Sequence, residues 1–204
     1  MVASRIYPGL PPHGRGQRIG LLGGSFNPAH PGHRHITLMA LNRLGLDRVW
    51  WLVTPGNPLK PRSGLPELGL RMARAAEVAR HPRIAISGVE AVFGSVYTAD
   101  LVQNLRRVAP AVGFVWIMGS DNLRQFNRWG RWREIAATIP MVVVNRPGSL
   151  AAPLAAPAAQ ALRGWRIDES DAALLPRLTA PAWCTLTGPR SQLSSTALRD
   201  KSMS

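Results

Sequence analysis

The stretch Arg18-Ile19-Gly20-Leu21-Leu22-Gly23-Gly24-Ser25-Phe26-Asn27-Pro28-Ala29-His30-Pro31-Gly32-His33 decides how the chain is read. Its apolar start suits a buried strand, and the glycines at its end let the backbone turn sharply and come close to a ligand. Small residues there leave room for phosphate. Pro31 and Gly32 open a segment, His33 to Leu44, in which Ile36, Met39, Ala40 and Leu44 share one helical face, with Leu38 and Leu41 beside them. His30 and His33 therefore sit at a helix N-terminus, where unpaired N–H groups and the positive end of the dipole attract anions. Three residues apart, both can face the same phosphate oxygens. The turn Gly23, Gly24, Ser25, Phe26 and the histidine pair make a nucleotide-phosphate site that lacks the Gly-Lys-Ser/Thr of a P-loop.

Composition bounds the rest. A chain of 204 residues with 46% apolar content is one globular domain, or a domain with a small appendage. No apolar run approaches the roughly 18–20 residues that span a bilayer. Residues 1–17, with Pro8, Pro11, Pro12 and His13 where a signal peptide needs an apolar core, read as a flexible leader to a domain at 18–204. The single Cys184 allows no internal disulfide and agrees with a reducing, cytoplasmic setting. A net charge of +14 suits a polyanionic partner, nucleic acid or nucleotide, but the arginines are scattered, as on a solvated basic surface.

Strands and helices then alternate. Arg48 to Thr54 reads as a second buried strand, followed by the turn-rich loop Pro55 to Pro61. Leu65 to Arg80 reads as a helix, Arg83 to Ser87 as a short strand, Tyr97 to Val108 as a helix and Gly113 to Met118 as a central strand. Gly119-Ser120-Asp121-Asn122 comes off that strand, with a helical stretch Leu123 to Thr138 behind it. Met141 to Val144 and Trp183 to Thr187 read as further strands, separated by an Ala- and Pro-rich stretch from Ser149 to about Ala161. The pattern predicts an α/β fold: a single doubly wound, mostly parallel sheet with helices on both faces. Trp50, Trp51 and Trp116 fall in strand runs and are expected in the core. Near the end, Ser194, Ser195 and Thr196 stand at a predicted helix start with Arg199 one turn on, a second anion cradle or ordinary capping.

Gly23 to His33 resembles the GGxFxPxHxGH signature of the HxGH nucleotidyltransferases, and the fuller pattern resembles the bacterial nicotinate-nucleotide adenylyltransferases. Leu193 to Arg199 is similar to that family's ISSTxxR, with Leu for the leading Ile. Tyr97-Thr98-Ala99 resembles its S-Y-T-A, Gly119-Ser120-Asp121 its G-x-D, Phe126-Asn127-Arg128-Trp129 its F-x-x-W, and Asn145-Arg146-Pro147-Gly148 its R-P-G turn. Asn27 stands where many members carry Asp, and Pro55 to Pro61 is shorter than the family's P-N-x-x-P-P-H-K, onto which Asn57 and Lys60 fall.

The resemblance implies a Rossmann-like nucleotidyltransferase that moves AMP from ATP to nicotinate mononucleotide, giving nicotinate adenine dinucleotide and pyrophosphate in NAD biosynthesis. It implies His30, His33 and Arg199 as catalytic groups, with Gly23, Gly24, Ser25, Phe26, Ser194, Ser195 and Thr196 binding ATP. It places Asn57, Lys60, Tyr97, Thr98, Asp121 and Trp129 around the mononucleotide. Trp129 is expected to stack on the pyridinium, Tyr97 and Thr98 to donate to the carboxylate, and Asp121 to accept from a ribose hydroxyl. Mg2+ is expected to come with ATP, and because it keeps several waters no full protein ligand set is required. The partners implied are small molecules, with neither nucleic acid nor membrane, and a homo-oligomer is left open.

Other readings compete. A metal hydrolase would take His30, His33 and His35 as ligands, but His33 and His35 point to different helix faces. A basic nucleic-acid-binding module fits the charge but lacks a recognition signature. Phosphopantetheine adenylyltransferase shares the histidines without needing the F-x-x-W or G-x-D elements. Nicotinamide mononucleotide stays open as acceptor beside nicotinate.

Overall fold

Strands that are apolar on both faces have to be covered on both. The computed structural model of the chain describes residues 4–56, 65–145 and 154–188. Its strands are β1 Arg5–Tyr7, β2 Arg18–Gly24, β3 Arg48–Val53, β4 Ile84–Ser87, β5 Gly113–Gly119, β6 Met141–Val144 and β7 Trp183–Leu186. Helices are α1 Pro31–Arg43, α2 Leu68–Ala79, α3 Val89–Val92, α4 Thr98–Val108, α5 Ser120–Gln125, α6 Trp132–Thr138 and α7 Pro157–Ala161. Short 3₁₀ segments lie at Phe126–Arg128, Arg163–Trp165 and Glu169–Arg177.

The strands form one 7-stranded sheet in the order β1-β4-β3-β2-β5-β6-β7, and every pairing is parallel. With β1 set aside, this is the order of doubly wound nucleotide-binding sheets, and the strand order reverses between β2 and β5. Alternate strand residues feed two cores. Trp50, Leu52, Phe114, Trp116, Met141 and Trp183 pack with α4, α5, α6 and α7. Trp51, Val53, Val115, Ile117, Val142 and Cys184 pack with α1, α2 and the Glu169–Arg177 segment. Trp50, Trp51 and Trp116 are buried as expected.

Helix α1 starts one turn earlier than the apolar periodicity alone requires, because Pro31 at its first position supplies a fitting φ and has no N–H to satisfy. It ends where Gly45 takes φ +60 and Leu46 N–H reaches back to Leu41 O at 3.1 Å, a Schellman closure.

Several expectations are corrected. The expected leader supplies β1, an exposed edge strand paired with β4 through Arg5↔Ala85 to Tyr7↔Ser87. Three residues carry no periodicity, and the partner lies far along the chain. The helix expected from Leu65 begins at Leu68, and the helical stretch Leu123–Thr138 is broken into α5, a 3₁₀ turn and α6. The break follows from Trp129 in extended conformation and Arg131 at φ +57. The Ala- and Pro-rich stretch, which the sequence leaves open between a frayed helix and an insert loop, is helical over Pro157–Ala161, as α7.

Gly113 marks a tight sheet-to-segment contact: a Cβ there would stand 2.5 Å from the Pro176 carbonyl oxygen. Gly113→Ala is expected to lower stability by about 1–3 kcal/mol through forced backbone displacement. Urea unfolding checks this, and an unchanged midpoint would show that the Glu169–Arg177 segment yields freely.

Candidate active site

In a doubly wound sheet the crevice opens at the carboxyl ends of the strands where their order reverses. Here those ends are Gly24 of β2 and Gly119 of β5. From Gly24 the chain turns through Ser25 and Phe26, which takes φ +47, an unfavourable value for an aromatic residue. The Phe26 ring stacks on Trp51, with centroids 5.0 Å apart and planes 14° from parallel, and lies 4.7 Å from the His33 ring. The turn delivers the chain to α1 with His30 as N-cap and His33 in the first turn.

The two imidazoles come together, with centroids 3.9 Å apart, His30 being buried and His33 partly exposed. His33 Nδ1 accepts from the His30 backbone N–H at 3.2 Å, and His33 N–H donates to His30 O at 2.9 Å. Histidine here fills the place of the Glu or Gln of a capping box. Because Nδ1 accepts, the neutral His33 ring carries its proton on Nε2, which becomes the donor. Behind it, buried Trp51 Nε1–H donates to Thr37 Oγ1 at 2.8 Å, and that hydroxyl donates to His33 O at 2.8 Å. A β3 side chain thereby fixes the helix turn that carries the histidine.

Gly23 has a different reason to be glycine from the one expected. A Cβ there would meet the Trp116 ring at 2.7 Å, so the space is filled by an indole from β5. Trp116 meets Trp129 edge-on at 6.3 Å, and Trp129 packs on Phe126 at 5.4 Å. The Tyr97 ring lies over Gly130, within 2.5 Å of where a Cβ would be. Arg131 forms ion pairs with Asp100 of α4 and Glu134 of α6, clasping the two helices. Trp129 is thus linked through Trp116 to Gly23, with Tyr97 beside it at the N-cap of α4 and Thr98 the first residue of that helix.

A third cluster escaped the sequence analysis. Arg71 of α2 is 2% exposed and donates from Nε to Pro66 O and from Nη1 to both Ser25 O and Thr54 O, each at 2.8 Å. Burial lowers its pKa from the ordinary value, yet an arginine starts so high that it stays charged. Thr54 Oγ1 stands 2.8 Å from Gly56 O and 2.9 Å from buried Glu90 Oε1. Burial pushes the Glu90 carboxyl up to about 7, with the Thr54 hydrogen bond opposing it. One hydroxyl proton cannot serve two acceptors, whereas a protonated Glu90 donates to Thr54 and frees the hydroxyl for Gly56. One signal was available: Arg71 stands in line with the buried Ala75 and Ala79 on the apolar stripe of α2.

Comparison with known proteins identifies the family to which this fold and sequence belong. The family described as cytidylyltransferase-like matches residues 21–201. A protein of Bradyrhizobium sp. (strain BTAi1) named "Probable nicotinate-nucleotide adenylyltransferase" is 58% identical over 183 residues, 90% of this chain and 95% of its own. One of the same name from Parvibaculum lavamentivorans is 52% identical over 186 residues, covering 91% of this chain and 92% of its own. The chain belongs to the nicotinate-nucleotide adenylyltransferase family. Its fold is shared with Plasmodium falciparum nicotinic acid mononucleotide adenylyltransferase complexed with NaAD, at TM-score 0.63 and 17% identity over 90% of this chain and 83% of that one.

Of the residues that the nicotinate-nucleotide adenylyltransferase resemblance singles out, Gly23, Gly24, Ser25, Phe26, His30 and His33 form the turn and helix start. Trp129 is linked to it through Trp116, Tyr97 lies beside Trp129 over Gly130, and Thr98 opens α4. Asp121 is exposed in the first turn of α5, directly off β5. Asn57, Lys60, Ser194, Ser195, Thr196 and Arg199 lie outside the described residues. Among the described residues no group of three His, Cys, Asp or Glu could hold a metal ion, so His30, His33 and His35 are not a ligand set. No helix among them is long and apolar enough to cross a membrane.

The raised Glu90 value has a definite sign. The folded carboxyl stands above its unfolded value of 4.5, so the native state holds the extra proton between 4.5 and about 7 and loses stability as pH rises through that window. Glu90→Gln is expected to stabilise the protein at about pH 8, by something on the order of 3 kcal/mol at most, and hardly at all below about pH 4.5. Thermal melts across that range check it; a gain independent of pH would exclude the carboxyl as its source.

Proposed function

We propose that the protein transfers AMP from Mg-ATP to nicotinate mononucleotide, releasing pyrophosphate and forming nicotinate adenine dinucleotide. The acceptor's phosphate oxygen attacks the α-phosphorus in line as the bond to the β-phosphate oxygen breaks, so no protein nucleophile is needed and catalysis is positioning and charge stabilisation. The observation that carries this is the histidine pair at the start of α1, beside the point where the strand order reverses, with His33 Nδ1 accepting from the His30 N–H so that Nε2 carries the ring proton. The names of the close relatives support the same chemistry and acceptor.

In this mechanism His30 and His33 stabilise charge on the α-phosphate as phosphorus becomes five-coordinate, and the turn Gly23 to Phe26 lies against the triphosphate. Trp129 stacks on the pyridinium, with Tyr97, Thr98, Asn57 and Lys60 contributing to the acceptor's pocket and Asp121 to its ribose. Ser194, Ser195, Thr196 and Arg199 hold the departing phosphates. Mg2+ would enter as part of the nucleotide substrate, where phosphates and water would supply most of its ligands. The reaction belongs in the cytoplasm, where the lone buried Cys184 stays reduced.

Incubation with Mg-ATP and nicotinate mononucleotide, nicotinamide mononucleotide or phosphopantetheine, following pyrophosphate, tests the assignment. Nicotinate mononucleotide is expected to be consumed fastest; consumption of phosphopantetheine alone overturns it. His33→Ala is expected to lower turnover about 10²–10³-fold, the usual loss for a well-placed donor, while the melting profile stays cooperative. Near-normal turnover would remove His33 from the chemistry.

A further inference from the structure

Arg71 is a buried cation with an unusual set of partners. Among the described residues the ion pairs are Arg18–Asp47, Arg43–Glu169, Arg131–Asp100 and Arg131–Glu134, and Arg71 is in none of them. Its charge is solvated instead by backbone carbonyls from the glycine turn, from the residue after β3 and from the lead-in to α2. Burying a charge without a counter-charge costs several kcal/mol unless well-formed hydrogen bonds offset it. A methionine or leucine would fill the same place on the apolar stripe of α2 without that cost, so packing alone does not account for an arginine.

The geometry at Ser25 supplies the reason. In a trans peptide the C=O and the following N–H point in opposite directions. Arg71 Nη1 holds the Ser25 oxygen at 2.8 Å, so the N–H of the same peptide unit, that of Phe26, is turned to the side away from α2. Among the described residues no protein acceptor takes the Phe26 N–H. The same nitrogen of Arg71 binds Thr54 O, and Thr54 N–H donates to Gly24 O at 3.0 Å, so the turn is referenced to β3 on both sides of the Ser25 peptide.

We infer that Arg71 is a positioning residue for the nucleotide phosphates: its fork fixes the Ser25–Phe26 peptide so that the Phe26 N–H joins the histidine pair as a donor to the triphosphate. Its buried positive charge, one peptide unit behind that donor, adds to the attraction for anions. The assignment rests on the proposed use of the turn for ATP, but not on which acceptor receives the AMP.

The test is direct binding of ATP and of adenosine by calorimetry to the parent, Arg71→Lys and Arg71→Met, with thermal melts as a folding check. Lysine keeps the charge but cannot span the Ser25, Thr54 and Pro66 carbonyls with a planar fork. Both variants are expected to bind ATP at least tenfold more weakly while adenosine affinity changes less than threefold, because only the phosphates meet the turn. If the methionine variant does not fold, the lysine variant decides alone. Parent-like ATP binding by Arg71→Lys, or equal losses for ATP and adenosine, overturns the assignment. Failure of the parent to bind ATP at all strikes the proposed function instead.

Discussion

A phenylalanine at positive φ is strained by roughly 1–3 kcal/mol, and it persists only where its surroundings overdetermine it. Phe26 is such a residue, and its surroundings are specific. Its ring stacks on Trp51 and touches His33, while the peptide before it is held by Arg71 from beneath. Release of that turn would move His30 and His33 together, because the N-cap of α1, His30, comes four residues after Phe26 and the histidines are hydrogen-bonded to one another.

Trp51 shows how a sheet residue serves the site without facing a ligand. It is wholly buried on β3, yet it stacks on Phe26 and donates to Thr37, whose hydroxyl holds His33 O. On the other face of the sheet, Trp116 fills the space that Gly23 leaves open and touches Trp129. The two aromatic clusters thus meet across the glycine strand, so that the proposed phosphate turn and pyridine wall share one base. Arg71 adds a buried charge, and Glu90 a carboxyl pushed up by burial, to the same strand ends, where perturbed ionisable groups gather at functional sites.

Much of this was legible beforehand because local chemistry and tertiary role agree. The run Arg18–Leu22, the glycine turn and the Pro31 helix start each carry their own conformational preference, and the structure follows them to within a residue or two. The same holds for β5 and β6, whose unbroken apolar runs can only be buried. Legibility failed where the deciding contact is remote. Strand β1 exists because β4 offers an open edge, and the break between α5 and α6 lies beside the Tyr97 ring, which rests on Gly130 from the N-cap of α4. Arg71 looked like one of many scattered arginines because its partners are carbonyls, which carry no sequence identity.

By itself, the sequence determined the alternation of strands and helices, the polarity that places ligands at the strand ends, and the chemical identity of the groups delivered there. Those follow from periodicity, glycine and proline, which act over a few residues. Only the tertiary structure decided which nitrogen of His33 donates, why Gly23 must lack a side chain, and that a buried arginine stands behind the turn. These depend on side chains and carbonyls brought together from β3, β5 and α2, distances that no local pattern encodes.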